Sequence, residues 1–249
     1  IGPRGSGTWE RMSWDEALDT IAARLLDIRS RFGPESIALG TGTGRHHIRW
    51  VSRFGHAIGT PNWCEPGFAQ CFHPRVNTCM LTFGDFPVCD YTGGTPPACM
   101  LFWGHNPIHS GPDGETRFNV HEALDHNPKI IVVDPRRTEL AARADIWLQV
   151  RPGADDALAL AMVNVIIGER LYDHEFVRRH THGFDALAAH VERFTPEWAA
   201  PVTWVPAEKI RAAARLFART RPAMMEWGCA IEHTPKCIQT VRAVSLLPA

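Results

Sequence analysis

Charge of one sign is what this 249-residue sequence lacks most plainly: 26 Lys and Arg stand against 27 Asp and Glu, a formal net charge of −1. The basic residues are scattered along candidate helices and form no tract, so the electrostatic footprint of a nucleic-acid or anionic-membrane binder is missing. No apolar run approaches the roughly 18 residues of a membrane span, and no signal peptide opens the chain. A GxGxxG fingerprint is absent too. Gly40-x-Gly42-x-Gly44 is only a weak likeness, which disfavours ordinary nicotinamide binding. Seven cysteines, an odd number, do not make a disulfide scaffold. Most read as small buried hydrophobes, and a reducing compartment or a shielded interior is expected. The chain starts at Ile1 without Met and stops at Ala249 directly after a helical pattern, so it reads as a fragment of something longer.

What is present is organised. Ser13-Trp14-Asp15-Glu16 is a capping box, and apolar residues at Ala17, Leu18, Ile21, Leu25 and Ile28 follow at helical spacing up to Gly33-Pro34. Ser36 to Leu39 predicts a short strand, 40–44 a loop and 46–58 a helix. From Gly59 to Pro97 Pro and Gly recur and the pattern breaks down, yet Trp, Phe and Cys are too dense there for disorder. Apolar runs at Cys99–Phe102, Ile130–Val133 and Ile146–Val150 then read as buried parallel strands, with helices near 115–126 and 137–143 between them. Further helices are expected near 155–168, 173–180, 206–219 and 236–247, with a strand at Ala223–Trp227.

Each of three strands ends in a polar run containing Gly or Pro: Trp103-Gly104-His105-Asn106-Pro107, Val133-Asp134-Pro135-Arg136 and Arg151-Pro152-Gly153-Ala154-Asp155. Ligands of open α/β sheets collect beyond the carboxyl ends of the strands, so these runs describe one edge with a site along it. Asp155, at a helix start, is either a plain N-cap or a carboxylate accepting from guanine N1–H and its 2-amino group, two donors that only an acceptor satisfies together. Gly153 lets backbone approach such a ligand. Asp134 suits a ribose hydroxyl and Arg136 a phosphate, or the two form an exposed pair. Gly104 and Asn106 suit a diphosphate, or an Asn-Pro turn.

Cys71 is the sharpest single residue. A thiolate there suits a soft metal, and His73 and Arg75 beside it could lower its pKa or handle substrate protons. A buried inert cysteine is the plain alternative. Two others are nucleophilic Cys–His chemistry and a Cys64/Cys71/His73/Cys79 zinc site, whose gaps do not match ordinary zinc spacings.

Taken together these motifs resemble the molybdopterin oxidoreductases of the dimethyl sulfoxide reductase type. The likeness is carried by the three strand-end runs, Val133 to Thr138, Ala144-Asp145, the continuation to Leu158, and Gly2-Pro3-Arg4-Gly5 leading to Trp9–Ala17. Gly59-Thr60-Pro61-Asn62, Leu171–Val177 and Trp227-Gly228 with Thr240-Val241-Arg242 extend it over nearly the whole chain. One departure is Ala154, where the family commonly has Thr.

The resemblance implies a bis(molybdopterin guanine dinucleotide) cofactor with molybdenum or tungsten. Gly104, Asn106, Asp134, Arg136, Gly153 and Asp155 would hold the guanosine diphosphate part of one pterin. Cys71 would ligate the metal, with His73 beside it in catalysis. The implied fold is two α/β domains with parallel-type sheets: 1–66 and a return segment 223–249 form one, and the Rossmann-like domain 67–222 is inserted between them. A [4Fe–4S] centre is expected in an N-terminal part not contained here. The implied partners are a small-molecule substrate and an iron–sulfur electron-transfer subunit, with no nucleic acid. The expected activity is two-electron redox chemistry, with the fragment inactive by itself. A non-redox hydratase-type member and a non-catalytic structural homologue are the alternatives, and neither substrate nor compartment follows from these residues.

Overall fold

The structure, a computed structural model, describes residues 2–42, 47–65, 71–91, 93–110 and 115–248. Part of the loop expected at 40–44, the start of the helix expected at 46, and residues 66–70 before Cys71 lie outside the described residues. The chain divides into two compact units, 1–69 and 70–249.

In the first unit, helix α1 (Trp14–Phe32) starts as the capping box requires. The Ser13 hydroxyl accepts from the Glu16 N–H at 3.2 Å, and Asp15 and Glu16 complement the helix dipole. Its apolar stripe is uncovered: Leu18 and Ile21 are 56% and 54% exposed. Strand β1 (Ala38–Gly40), helix α2 (Ile48–Ile58) and strand β2 (Asn62–Cys64) follow, with β1 and β2 parallel and Leu39 opposite Trp63.

The second unit is built on four parallel strands: β3 (Cys99–Trp103), β4 (Lys129–Val133), β5 (Ile146–Leu148) and β6 (Ala223–Trp227), in the spatial order β5-β4-β3-β6. The helices are α3 (His73–Phe83), α4 (Pro107–Ser110), α5 (Glu115–Asp125), α6 (Glu139–Arg143), α7 (Asp155–Gly168), α8 (His174–His180), α9 (Phe184–Val191), α10 (Pro196–Thr203), α11 (Ala207–Arg219) and α12 (Cys237–Ser245). All five residues of β3 are fully buried. Period-two alternation sends Cys99, Leu101 and Trp103 to one face, with residues of α7, α11 and α12. Met100 and Phe102 go to the other, with Val120 and Leu124 of α5 and Leu140 of α6. Both faces are covered, which is why these strands read as continuous apolar runs. Each fully buried large side chain contributes about 1.5–3 kcal/mol. The α/β class with parallel sheets is therefore as expected.

The segment 223–249, expected to return to the first domain, is placed differently in this chain. β6 pairs with β3 along its whole length, from Cys99 opposite Ala223 to Trp103 opposite Trp227. Met225 and Trp227 join the core that α7 and α12 also build, so apolar burial holds 223–249 in the unit 70–249. Helix α3 falls in the stretch read as irregular. It carries Pro74 in its first turn and ends on the left-handed Gly84, punctuation that masks an 11-residue helix.

Candidate functional site

The parallel register fixes one edge. Trp103 stands opposite Val133 and Trp227, and Val133 opposite Leu148, so four strands end level. The runs that follow are tied together by backbone: Gly104 N–H donates to Val133 O at 2.7 Å, Asp134 N–H to Leu148 O at 3.2 Å and Gly228 N–H to Trp103 O at 2.9 Å. From β3 the chain steps to β4 and β5 on one side, while β6 lies on the other side of β3. That reversal is a topological switch point, and ligands of such sheets lie beyond the carboxyl ends of the strands near it. Gly104 has φ of 55°, and a Cβ on Gly228 would lie 2.2 Å from the Gly104 carbonyl oxygen. Only glycine lets the two loops pass this closely.

Asp155 sits at this edge, and it is not an N-cap. Helix α7 begins at Asp155 with Ala154 as its cap residue and no side-chain capping bond. The carboxylate turns back into the sheet, where Oδ1 accepts from the Trp103 indole N–H at 2.8 Å. The side chain is buried, and desolvation pushes its carboxyl up against the opposing pull of Trp103 and of the backbone at Asp155 and Gly153. Gly153, with φ of 84°, has open space where a side chain would stand. Asn106 caps the turn into α4, its carbonyl accepting from the His109 and Ser110 N–H groups at 3.0 Å. Its buried Oδ1 has no partner among the described residues. An amide whose oxygen and nitrogen interchange by rotation is a suitable unspent group at a ligand edge.

Asp134 is buried, its Oδ1 accepting from the Arg136 N–H at 2.8 Å, and its carbonyl accepts from the Trp147 indole at 2.8 Å. The Arg136 side chain is 78% exposed, with Nε 3.8 Å from that carboxylate. At 3.8 Å and with the guanidinium in solvent, this contact contributes little to stability. The structure thus brings Gly104, Asn106, Asp134, Gly153 and Asp155 to one edge, while Arg136 reaches into solvent from it. A buried carboxylate, an unspent amide and glycine backbone at strand ends are donors and acceptors that fit a nucleotide tail.

Cys71 lies just before α3 and meets partners far away in sequence. Its Sγ is 3.9 Å from the Cys229 Sγ, and with a His233 ring nitrogen these three ligand atoms all lie within 4.8 Å of one another. His73 heads α3 and is not in that group. Nor is Cys79, which is fully buried in the core, where desolvation pushes its thiol up. Cys64 belongs to the other unit. Although the residue is exposed, desolvation around its sulfur, with Glu232 and Cys71 adding to it, pushes the Cys229 thiol up to about 11. The thiolate chemistry open to Cys71 suits a soft metal.

Arg75 anchors this region. Its Nε donates to the Glu232 carboxylate at 2.7 Å and its Nη2 to the Trp227 carbonyl at 2.9 Å, with the guanidinium over the Trp227 ring. Glu232 is buried, so its carboxyl is pushed up by desolvation, and Arg75 opposes that. Beneath β6 a cleft of about 460 Å³ is lined by Arg75, Cys89, Tyr91, Met224 and Glu226. There the Tyr91 hydroxyl donates to Glu226, and burial next to that carboxylate raises the Tyr91 pKa. Sequence reading missed Trp103 as a donor, Gly228 as the close neighbour of Gly104, Glu232 as the partner of Arg75, and Cys229 and His233 as neighbours of Cys71. The one available signal was the Cys229-x-x-x-His233 spacing after a strand.

A family model described as molybdopterin oxidoreductase matches residues 3–249. The chain is 36% identical to acetylene hydratase of Syntrophotalea acetylenica over 99% of its own length and 33% of that protein's. It is 35% identical to formate dehydrogenase H of Escherichia coli over 97% of its length and 34% of that protein's. The solved structure of acetylene hydratase from Pelobacter acetylenicus superposes with a TM-score of 0.76 at 35% identity, over 98% of this chain and 33% of that one. The chain spans about a third of the length of these relatives. With its parallel sheet, its glycine-lined edge and a family match from end to end, the chain belongs to the molybdopterin oxidoreductases, the family of large molybdenum-dependent catalytic subunits.

Proposed function

We propose that this chain holds one guanosine diphosphate arm of a bis(molybdopterin guanine dinucleotide) cofactor along the carboxyl edge of the four-stranded sheet, with Cys71 as protein ligand to the molybdenum or tungsten. The observation that carries this reading is the Asp155 carboxylate. It is buried beside the strand ends although burial disfavours its charge, so its acidity serves a ligand better than it serves the fold. In this role Asp155 accepts from guanine N1–H and the 2-amino group, while Trp103 holds the carboxylate in place. Gly153 leaves space for the base, and Asp134 accepts from a ribose hydroxyl. Gly104 and Asn106 donate to the diphosphate, and the exposed Arg136 guanidinium pairs with its oxygens. His73, at the head of α3, holds or moves a proton beside Cys71.

When bound, the cofactor supplies two-electron redox chemistry on a small substrate. A [4Fe–4S] centre and an iron–sulfur partner subunit belong with that chemistry, and both lie outside these 249 residues. We assign the chain cofactor holding rather than turnover by itself. A second reading, hydration without net electron transfer, is favoured by one observation: acetylene hydratase is among the relatives at over a third identity.

The test is metal and guanine nucleotide content of the full-length protein. Wild type should carry molybdenum or tungsten and release GMP on acid extraction, and Cys71→Ala should lose activity and one metal–sulfur contact in the X-ray absorption spectrum. Unaltered activity and an unaltered spectrum in Cys71→Ala remove Cys71 from the metal. Stoichiometric reduction of an artificial electron acceptor by substrate separates the redox reading from hydration.

A further inference from the structure

Cys229 and His233 have no part in the cofactor reading, yet they share a side of one turn. The His233 N–H donates to the Cys229 carbonyl at 3.2 Å and the Glu232 N–H to the same carbonyl at 3.0 Å. A turn of that kind puts side chains i and i+4 on the same side. Cys71 comes to them from the segment before α3, with the two sulfurs 3.9 Å apart and all three ligand atoms within 4.8 Å of one another.

Those distances match a metal's geometry. Tetrahedral zinc with Zn–S bonds of about 2.3 Å holds two sulfurs about 3.8 Å apart, and a sulfur and an imidazole nitrogen about 3.6 Å apart. The sulfur pair already stands at the length of a tetrahedral edge. The His233 nitrogen has to close by at most about 1.2 Å, within reach of rotating an exposed ring.

We propose that Cys71, Cys229 and His233 form a binding site for a soft divalent cation, zinc first, in the protein before its pterin cofactor is loaded. Two thiolates and one imidazole neutralise the ion and leave a fourth position for water. Sulfur and nitrogen donors select zinc over magnesium or calcium, which need oxygen ligands. Because Cys71 serves both sites, zinc and the pterin metal exclude each other. The cation site rests on the three side chains alone, and only its exclusion of the pterin metal rests on the cofactor assignment.

The experiment is a cobalt titration, with zinc competition, of reduced protein from a host unable to make the pterin. One cobalt per chain is expected, with thiolate-to-metal charge transfer in the near ultraviolet and the intense visible bands of tetrahedral cobalt, both erased by zinc. Cys229→Ser and His233→Ala should each weaken binding at least about tenfold, since even outer partners of a metal site are worth that much. Cys237→Ser should leave it unchanged. Cys229 and His233 are exposed, so the variants keep the fold, and melting curves verify it. Weak octahedral bands, or affinity untouched in both variants, would overturn the proposal. A holoprotein without molybdenum or tungsten would instead overturn the cofactor reading and leave the cobalt result standing.

Discussion

Replacing Asp155 separates what its carboxylate does for the fold from what it does for a ligand. The side chain is 8% exposed and tied to the Trp103 indole N–H at 2.8 Å. Asp155→Ala removes the acceptor and leaves a buried donor unpaired, at a cost of about 1–3 kcal/mol. Asp155→Asn keeps an oxygen for Trp103 and removes a charge that burial disfavours, so it should be at least as stable as wild type at pH 7. In a unit of this size each kcal/mol is worth about 2–4 °C of melting temperature. Asp155→Asn should therefore melt several degrees above Asp155→Ala. The pH dependence has a definite sign. Burial raises the folded pKa above its unfolded value, so the folded state takes up a proton first and wild type gains stability as pH falls through the raised folded value. The gap between Asp155→Asn and wild type should be widest at neutral pH and close towards the ordinary carboxylate value of about 3.9. Both variants should lose guanine nucleotide. Thermal denaturation between pH 4 and 7 reads the stabilities and acid extraction reads the nucleotide, and equal melting of Asn and Ala variants, or a gap that ignores pH, would refute the reasoning.

Other expectations follow from the same coordinates. Arg75→Gln strands the buried Glu232 charge and should cost about 3–5 kcal/mol, most of it recovered in Arg75→Gln/Glu232→Gln, by chemical denaturation. Gly228→Ala drives a methyl towards the Gly104 carbonyl and should cost about 1–3 kcal/mol while lowering cofactor content, and wild-type melting would contradict the close approach. Arg136→Gln should change stability by less than about 0.5 kcal/mol, so any loss of cofactor in it reports a ligand contact. Alkylation at pH 8 mapped by mass spectrometry should label the exposed Cys64 and spare Cys89 and Cys99, whose thiols burial pushes up to about 12. Labelling of Cys99 faster than unfolding would contradict its burial.

The sheet was legible because its strands are buried on both faces, so Cys99–Phe102 and Ile130–Val133 appear as unbroken apolar runs. The edge was legible for a related reason: turn residues such as Gly104 and Asp134 must follow each run. Helices α9 and α10 escaped notice, although Thr195 caps the latter and Pro196 opens it, since Pro201 inside that helix disguises its period. The boundary at Ala223 escaped because strand pairing is non-local, and the residues between β5 and β6 give no sign that β6 will lie against β3. The same non-locality hid Cys229 and His233, which reach Cys71 only through that pairing. Asp155 could be placed at a helix start from sequence, but its partner, the Trp103 indole, could not.

The most direct test of the central claim is a crystal structure of the full-length protein loaded with its cofactor. The account predicts a guanine base against the Asp155 carboxylate, a diphosphate above Gly104 and Asn106, and metal bound to the Cys71 sulfur. A guanine nucleotide seated away from the ends of β3, β4 and β5, with Asp155 still closed onto Trp103 alone, would contradict it.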